Sequence, residues 1–189
     1  ELIYVADSWF APYGEKPAED IRRRCFENMG FFDLQHIKAL VLACNTATAA
    51  AVKELRALYR IPIIGMEPAI KPASELTRTG VIGVMATAGT LDSDKYLDLQ
   101  SMYTDKVEII TRACPGLVDE IEKIEPDEGE IIKLVTEYTE EFLDRGGDTL
   151  VLGCTHYALI SDIIRDIVGS NVVLVDTGMA VAKELRRRL

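Results

Sequence analysis

Ala39-Leu40-Val41-Leu42-Ala43-Cys44-Asn45-Thr46, together with its distant echo Thr149-Leu150-Val151-Leu152-Gly153-Cys154-Thr155-His156, decides the fold class. Each stretch runs a short apolar segment into a small residue, then a cysteine, then hydrogen-bonding residues, then a helical pattern. A short run that stays apolar without alternating is how a parallel strand buried on both faces reads. The strands of the repeat are Ile37–Ala43 and Thr149–Gly153; Leu2–Ala6, Ile61–Gly65, Val81–Ala86, Val107–Ile110 and Val172–Val175 share their character. Helical patterns fall between them: Pro17–Met29, Ala47–Tyr59, Ala69–Thr77, Ser93–Tyr103, Gly116–Glu122, Glu128–Asp144, Ala158–Val168 and Met179–Leu189. This alternation predicts an α/β fold with largely parallel sheets. The internal repeat predicts two lobes related by an approximate twofold axis, each a mostly parallel sheet flanked by helices, with the active site between them. The first lobe is expected over residues 1–76 plus 178–189 and the second over 77–177.

The chain of 189 residues has 21 basic and 31 acidic side chains, a formal charge of −10. That excess argues against nucleic acid and against an anionic membrane surface, since both need a basic face. Arg186-Arg187-Arg188 reads as a solvated helix end complementing the helix dipole. No apolar run approaches the roughly 18–20 residues of a membrane span. The opening Glu1-Leu2-Ile3-Tyr4-Val5 is neither a methionine start nor a basic leader, and reads as a strand entered midway.

Four cysteines occur, at 25, 44, 114 and 154, with no C-x-x-C spacing and only His36 and His156 beside them. No metal site and no disulfide framework is therefore expected. Cys25 and Cys114 read as packing residues. Cys44 and Cys154 stand apart, because both fall at the carboxyl end of a strand, where open α/β sheets bind ligands. Both also stand at a helix N-terminus. There the dipole favours an anion and is expected to lower a thiol pKa from about 8.5, and free N–H groups can bind a carboxylate. Two such thiols without a metal or redox spacing suggest acid–base work from two sides. A carbon acid held between them loses a proton on one face and regains one on the other, which inverts a stereocentre.

The segments Pro12-Tyr13-Gly14-Glu15-Lys16, Ala43-Cys44-Asn45-Thr46-Ala47, Pro68-Ala69-Ile70-Lys71-Pro72, Ala86-Thr87-Ala88-Gly89-Thr90 and Gly153-Cys154-Thr155-His156-Tyr157 closely resemble the glutamate racemases, a branch of the aspartate/glutamate racemase superfamily. Their order and spacing match across essentially the whole chain. The resemblance implies a cofactor-independent racemisation of glutamate that supplies D-glutamate for peptidoglycan, in a bacterial cytoplasm. It implies that Cys44 takes the α-proton of D-glutamate and Cys154 that of L-glutamate. By the same resemblance Asn45, Thr46 and Thr155 hold the α-carboxylate and ammonium. Pro12, Tyr13 and Gly14 form a loop at the side-chain carboxylate, and Thr87 and Thr90 add donors. His156 would assist Cys154 as an acid–base partner. Family members carry an assisting glutamate after a C-P-x-x-V segment; Cys114-Pro115-Gly116-Leu117-Val118 places it at Glu122, with Glu120 the rival one step away. Family members often dimerise, so a homodimer is left open.

One family feature is not in this sequence: a first strand ending D-S-G-x-G-G. Asp7-Ser8 is followed by Trp9 where glycine is required. By the resemblance roughly the first 30 residues of a family member, one βα unit, are missing here: either the chain is a fragment, or the protein lacks them and Cys44 loses its assisting carboxylate. Val175-Asp176-Thr177-Gly178 resembles the family's final strand and turn. Two other functions stay in play: a racemase of the same superfamily acting on aspartate or a related carbon acid, and a catalytically silent binding protein.

Overall fold

The computed structural model describes residues 1–189. Two parallel sheets organise it. The smaller pairs β1 (Leu40–Leu42) with β2 (Ile63–Gly65), Leu40 opposite Ile63. The larger has the order β4-β3-β5-β6, formed by β3 (Val81–Ala86), β4 (Glu108–Ala113), β5 (Thr149–Leu152) and β6 (Val173–Val175). Every pairing in it is parallel, Val81 facing Glu108, Ile82 facing Thr149 and Thr149 facing Val173. All four residues of β5 are buried, which is why its sequence is apolar without alternation.

In the smaller unit, α1 (Ala18–Leu34) and α2 (Asn45–Leu58) pack against each other and around the β1-β2 sheet. Helix α2 buries Ala47, Ala51, Val52 and Leu55, a stripe at helical spacing. The larger sheet has a core on each face. On one side α6 (Leu117–Ile121), α7 (Glu128–Asp144) and α8 (Ser161–Val168) cover it, with Phe142, Leu117 and Ile164 fully enclosed. Asp127 caps α7 by accepting from the amides of Gly129 (2.9 Å) and Glu130 (3.2 Å). On the other side lie α3 (Ile70–Leu76) and α5 (Asp94–Ser101), with Ile70, Ala73 and Tyr96 buried on Ile82, Val84 and Val151. Residues 69–76, expected in the first lobe, thus place their buried side chains on the four-stranded sheet. The C-terminal helix α9 (Gly178–Arg188) returns against β2 and buries none of its residues.

Three local expectations change. Leu2–Ala6 is not a strand. None of its amides pairs with β1, and the segment instead lays side chains along a cavity beside that strand before Asp7 turns the chain. A short helix, α4 (Ala88–Leu91), occupies the A-T-x-G-T turn, because the Thr87 hydroxyl accepts from the Thr90 amide at 3.3 Å. The helix expected to begin at Ala158 is preceded by a 3₁₀ turn over Thr155–Ile160. That turn carries the chain from the end of β5 into α8.

Candidate active site

The repeat in the sequence becomes a pair of junctions. Cys44 follows β1 and is the N-cap of α2; its Sγ accepts from the Ala47 amide at 3.4 Å. Cys154 follows β5 and is the N-cap of the 3₁₀ turn, with no side-chain cap bond. Both thiols are free and half-buried. A charge on Cys44 adds to the rise in the pKa of Cys154.

The expectation of low thiol pKa values is not met. Burial pushes Cys154 up to about 12, against the pull of the His156 and Tyr157 amides. Burial likewise raises Cys44, against the amides of Ala47 and Thr46 and the Thr46 hydroxyl. Desolvation of the thiolate outweighs the helix-end donors at both positions.

On the Cys154 side a relay extends outward. Cys154 Sγ approaches His156 Nδ1 at 3.7 Å, and His156 Nε2 meets Glu122 Oε1 at 2.6 Å. Glu122 stands just past α6, where the turn at Cys114-Pro115-Gly116 aims that helix at the 3₁₀ segment. Glu120 is turned inward: it accepts from the Asp127 amide at 2.9 Å and pairs with Lys123. Of the two carboxylates, Glu122 is therefore the one in contact with the imidazole.

The remaining candidates form a bridge between the two sheets. Thr46 at the start of α2 meets Thr87 (2.9 Å) and Thr90 (3.1 Å) through their hydroxyl oxygens, and Thr87 meets Thr90 at 3.1 Å. Beside this ring, the Gly89 amide donates to the Gly14 carbonyl at 3.0 Å. The two loops touch as bare main chain: a Cβ on Gly14 would stand 2.6 Å from Thr87 Cγ2, and one on Gly89 would stand 2.9 Å from the Gly14 oxygen. Pro12, Tyr13, Cys44, Thr155, His156 and Glu122 line one cavity of about 570 Å³. Its lining also includes the apolar side chains of Ile3, Met29, Phe32 and Leu40. Gly14 and Thr87 face a neighbouring cavity of about 180 Å³ that shares Pro12. Asn45 and Thr90 border a much smaller one, and Asn45 Oδ1 is buried without a partner.

Cys25 packs in α1 as its sequence context suggests, and it also borders the 570 Å³ cavity with Cys44; burial is the chief cause that pushes it up to about 12. Sequence reasoning missed Asp7, on the same wall. No pattern of spacing marks it. No cluster of metal-ligating side chains is present, and no helix is long and apolar enough to cross a membrane.

Known proteins resemble this chain along its whole length. The glutamate racemase of Methylococcus capsulatus is 52% identical over 188 residues, covering all of this chain and 69% of that protein. That of Pseudomonas putida GB-1 is 48% identical over 189 residues, with 71% of its length covered. Among solved structures, glutamate racemase RacE1 of Bacillus anthracis superposes with a TM-score of 0.81 at 32% identity, over 95% of this chain and 68% of that one. The Escherichia coli glutamate racemase, solved with L-glutamate and the activator UDP-MurNAc-Ala, gives 0.83 at 28% identity, over 94% and 68%. The Asp/Glu/Hydantoin racemase family profile matches residues 1–185, and this chain belongs to that family.

Proposed function

We propose that the chain interconverts L- and D-glutamate without a cofactor, by proton transfer between the two faces of the α-carbon. The observation that carries this reading is the pair of N-cap cysteines at matched strand ends, with the charge of Cys44 felt at Cys154. In one direction the Cys154 thiolate removes the α-proton and becomes a thiol. The electron pair left on the carbon is delocalised into the α-carboxylate, and the Cys44 S–H then protonates the opposite face. In the other direction the roles exchange.

Burial favours the neutral thiol, so the substrate must help to create the thiolate. Its α-ammonium brings a positive charge into the cleft, and an opposite charge nearby lowers a thiol pKa. His156, held by Glu122, takes the proton from Cys154 and returns it. The carboxylate of the substrate would be bound by the first-turn amides of α2 together with Thr46 and Thr155, and Asn45 would turn its unpartnered oxygen to the ammonium. Thr87 and Thr90 complete the donor set. The loop Pro12–Gly14 faces the side-chain carboxylate. The lobes would be 1–76 with 178–189, and 77–177, with the boundary drawn back to about 68 because Ala69, Ile70 and Ala73 pack on the four-stranded sheet. The product would serve peptidoglycan synthesis in a bacterial cytoplasm; the homodimer stays an assembly option with no surface singled out.

The test is incubation with L-glutamate in heavy water, followed by chiral analysis and mass spectrometry. Deuterium at the α-position together with D-glutamate is expected. Exchange with aspartate and not glutamate would move the substrate within the family, and binding of glutamate without exchange would support a silent binding protein.

A further inference from the structure

Asp7 has no part in the proton transfer described above, yet its surroundings are those of a built site. Its backbone is left-handed at φ +48°, a conformation seldom held by a residue with a side chain. Its carbonyl accepts the amides of Phe10 (2.9 Å) and Ala11 (3.0 Å), closing the turn that leads to Pro12. Its side chain is only 8% exposed. Three donors converge on the carboxylate: Arg24 Nε reaches Oδ2 at 3.1 Å, Arg24 Nη2 reaches Oδ1, and the Tyr13 hydroxyl donates to Oδ2. The two-pronged guanidinium contact fixes direction as well as charge. Arg24 belongs to α1 and also stands over the Phe10 ring at 5.5 Å.

From Tyr13 the next step crosses between the sheets, because Gly14 receives the Gly89 amide and has Thr87 against its α-carbon. A continuous set of contacts thus runs from α1 through Asp7 and the Tyr13–Gly14 loop to the turn that bears Thr87. Asp7 also lies on the wall of the cavity that holds Cys44. Left unpaired there, its carboxylate would repel an anionic substrate.

We propose that Asp7 and Arg24 are positioning residues for substrate binding: together they lock the Tyr13–Gly14 loop onto Gly89, and Arg24 cancels the charge that Asp7 brings to the cavity wall. The proposal rests on reading the cleft as a glutamate site. Neither residue touches the reacting carbon, so the effect falls on binding and leaves proton transfer largely intact.

Asp7→Asn, Arg24→Met and the double variant test this in the full chain, with folding checked by circular dichroism. Two readouts are needed. The first is amide hydrogen exchange, which does not depend on activity. The amides of Phe10, Ala11, Tyr13, Gly14, Glu15, Lys16 and Gly89 should exchange about tenfold faster in either single variant. Unchanged exchange in both overturns the proposal whether or not the wild type racemises anything. The second is the kinetics of α-proton exchange. Arg24→Met should raise KM for glutamate about tenfold with kcat within about threefold, and adding Asp7→Asn should bring KM back towards that of Asp7→Asn alone. An unchanged KM, or a fall in kcat at constant KM, overturns it. Should Arg24→Met fail to fold, Arg24→Lys keeps the charge and loses the fork. It should then show the faster loop exchange with a smaller rise in KM, and wild-type values for both would overturn the proposal. A wild type silent towards glutamate sinks the glutamate reading while the amide measurement still decides the positioning.

Discussion

Cys44 and Cys154 begin from the same pattern of strand, small residue, cysteine and helix, and end in different chemical company. Cys44 caps a regular α-helix, its sulfur accepting from the Ala47 amide and bordering the 570 Å³ cavity. Cys154 caps a 3₁₀ turn without a side-chain bond and has an imidazole and a carboxylate in line behind it. The backbone repeat supplies position, and the residues beyond it supply the difference: an alanine-rich helix follows Cys44, whereas His156, in contact with Glu122, lies two places past Cys154. Under the proposed function, near-symmetric main chain would thus carry an asymmetric acid–base system.

The largest effects should come from removing either sulfur. Cys44→Ala and Cys154→Ala should each lower racemisation by about 10³-fold or more, at the upper range of a positioned acid or base. Chiral analysis in heavy water reads this, and a retained rate in either variant would break the two-thiol scheme.

His156→Asn should cost about 10²-fold and Glu122→Gln about tenfold, sharpening the contrast between the two sides. The equilibrium constant between enantiomers is unity, so kcat/KM must fall equally in both directions. The asymmetry then shows in kcat and KM taken separately, measured from each enantiomer. Equal shifts in both constants from both enantiomers would mean that the relay does not favour one side.

Gly14→Ala forces a methyl group into Thr87, where its Cβ would be 2.6 Å from Cγ2. A loss of about 1–3 kcal/mol is expected from such overpacking. Urea unfolding measures it, and an unchanged midpoint would show that the loop simply moves aside.

The smallest effect is on pH stability. The thiols of Cys25, Cys114 and Cys154 are each pushed from 9.0 to about 12, in every case chiefly by burial. The unfolded chain loses these protons first, so above pH 9 it binds fewer protons than the native state does. Stability from the neutral thiols is full below pH 9 and declines as pH rises towards 12. Melting temperatures at pH 8 and pH 10.5 should differ in that sense, and Cys154→Ala should flatten the slope slightly. A rise in melting temperature across this interval would contradict the burial argument.

Much of the architecture is legible in the residues because buried parallel strands leave an unmistakable apolar run. Val81–Ala86 matches the strand observed, and Glu128–Asp144 matches the helix observed. Leu2–Ala6 has the same composition without the same outcome, since a strand exists only with a partner for its amides. The cysteines are visible through their repeat. Three site features are not. The thiol pKa direction depends on how deeply each sulfur packs, which the helix-end argument ignores. The Thr46–Thr87–Thr90 contact joins residues 41 and 44 positions apart. Asp7 and Arg24 meet across 17 positions, by way of a turn whose left-handed residue carries no glycine signature.

The ring of threonine hydroxyls has one further consequence. Three hydroxyl groups closed on one another can circulate their protons clockwise or anticlockwise, and no fixed charge in the ring chooses between the two senses. Under the proposed function an arriving carboxylate would choose, because each hydroxyl that turned to it would release its neighbour and the remaining bonds would reorient in concert. On that reading the span between the sheets is a small polarisable switch, set by the ligand and reset when the ligand leaves.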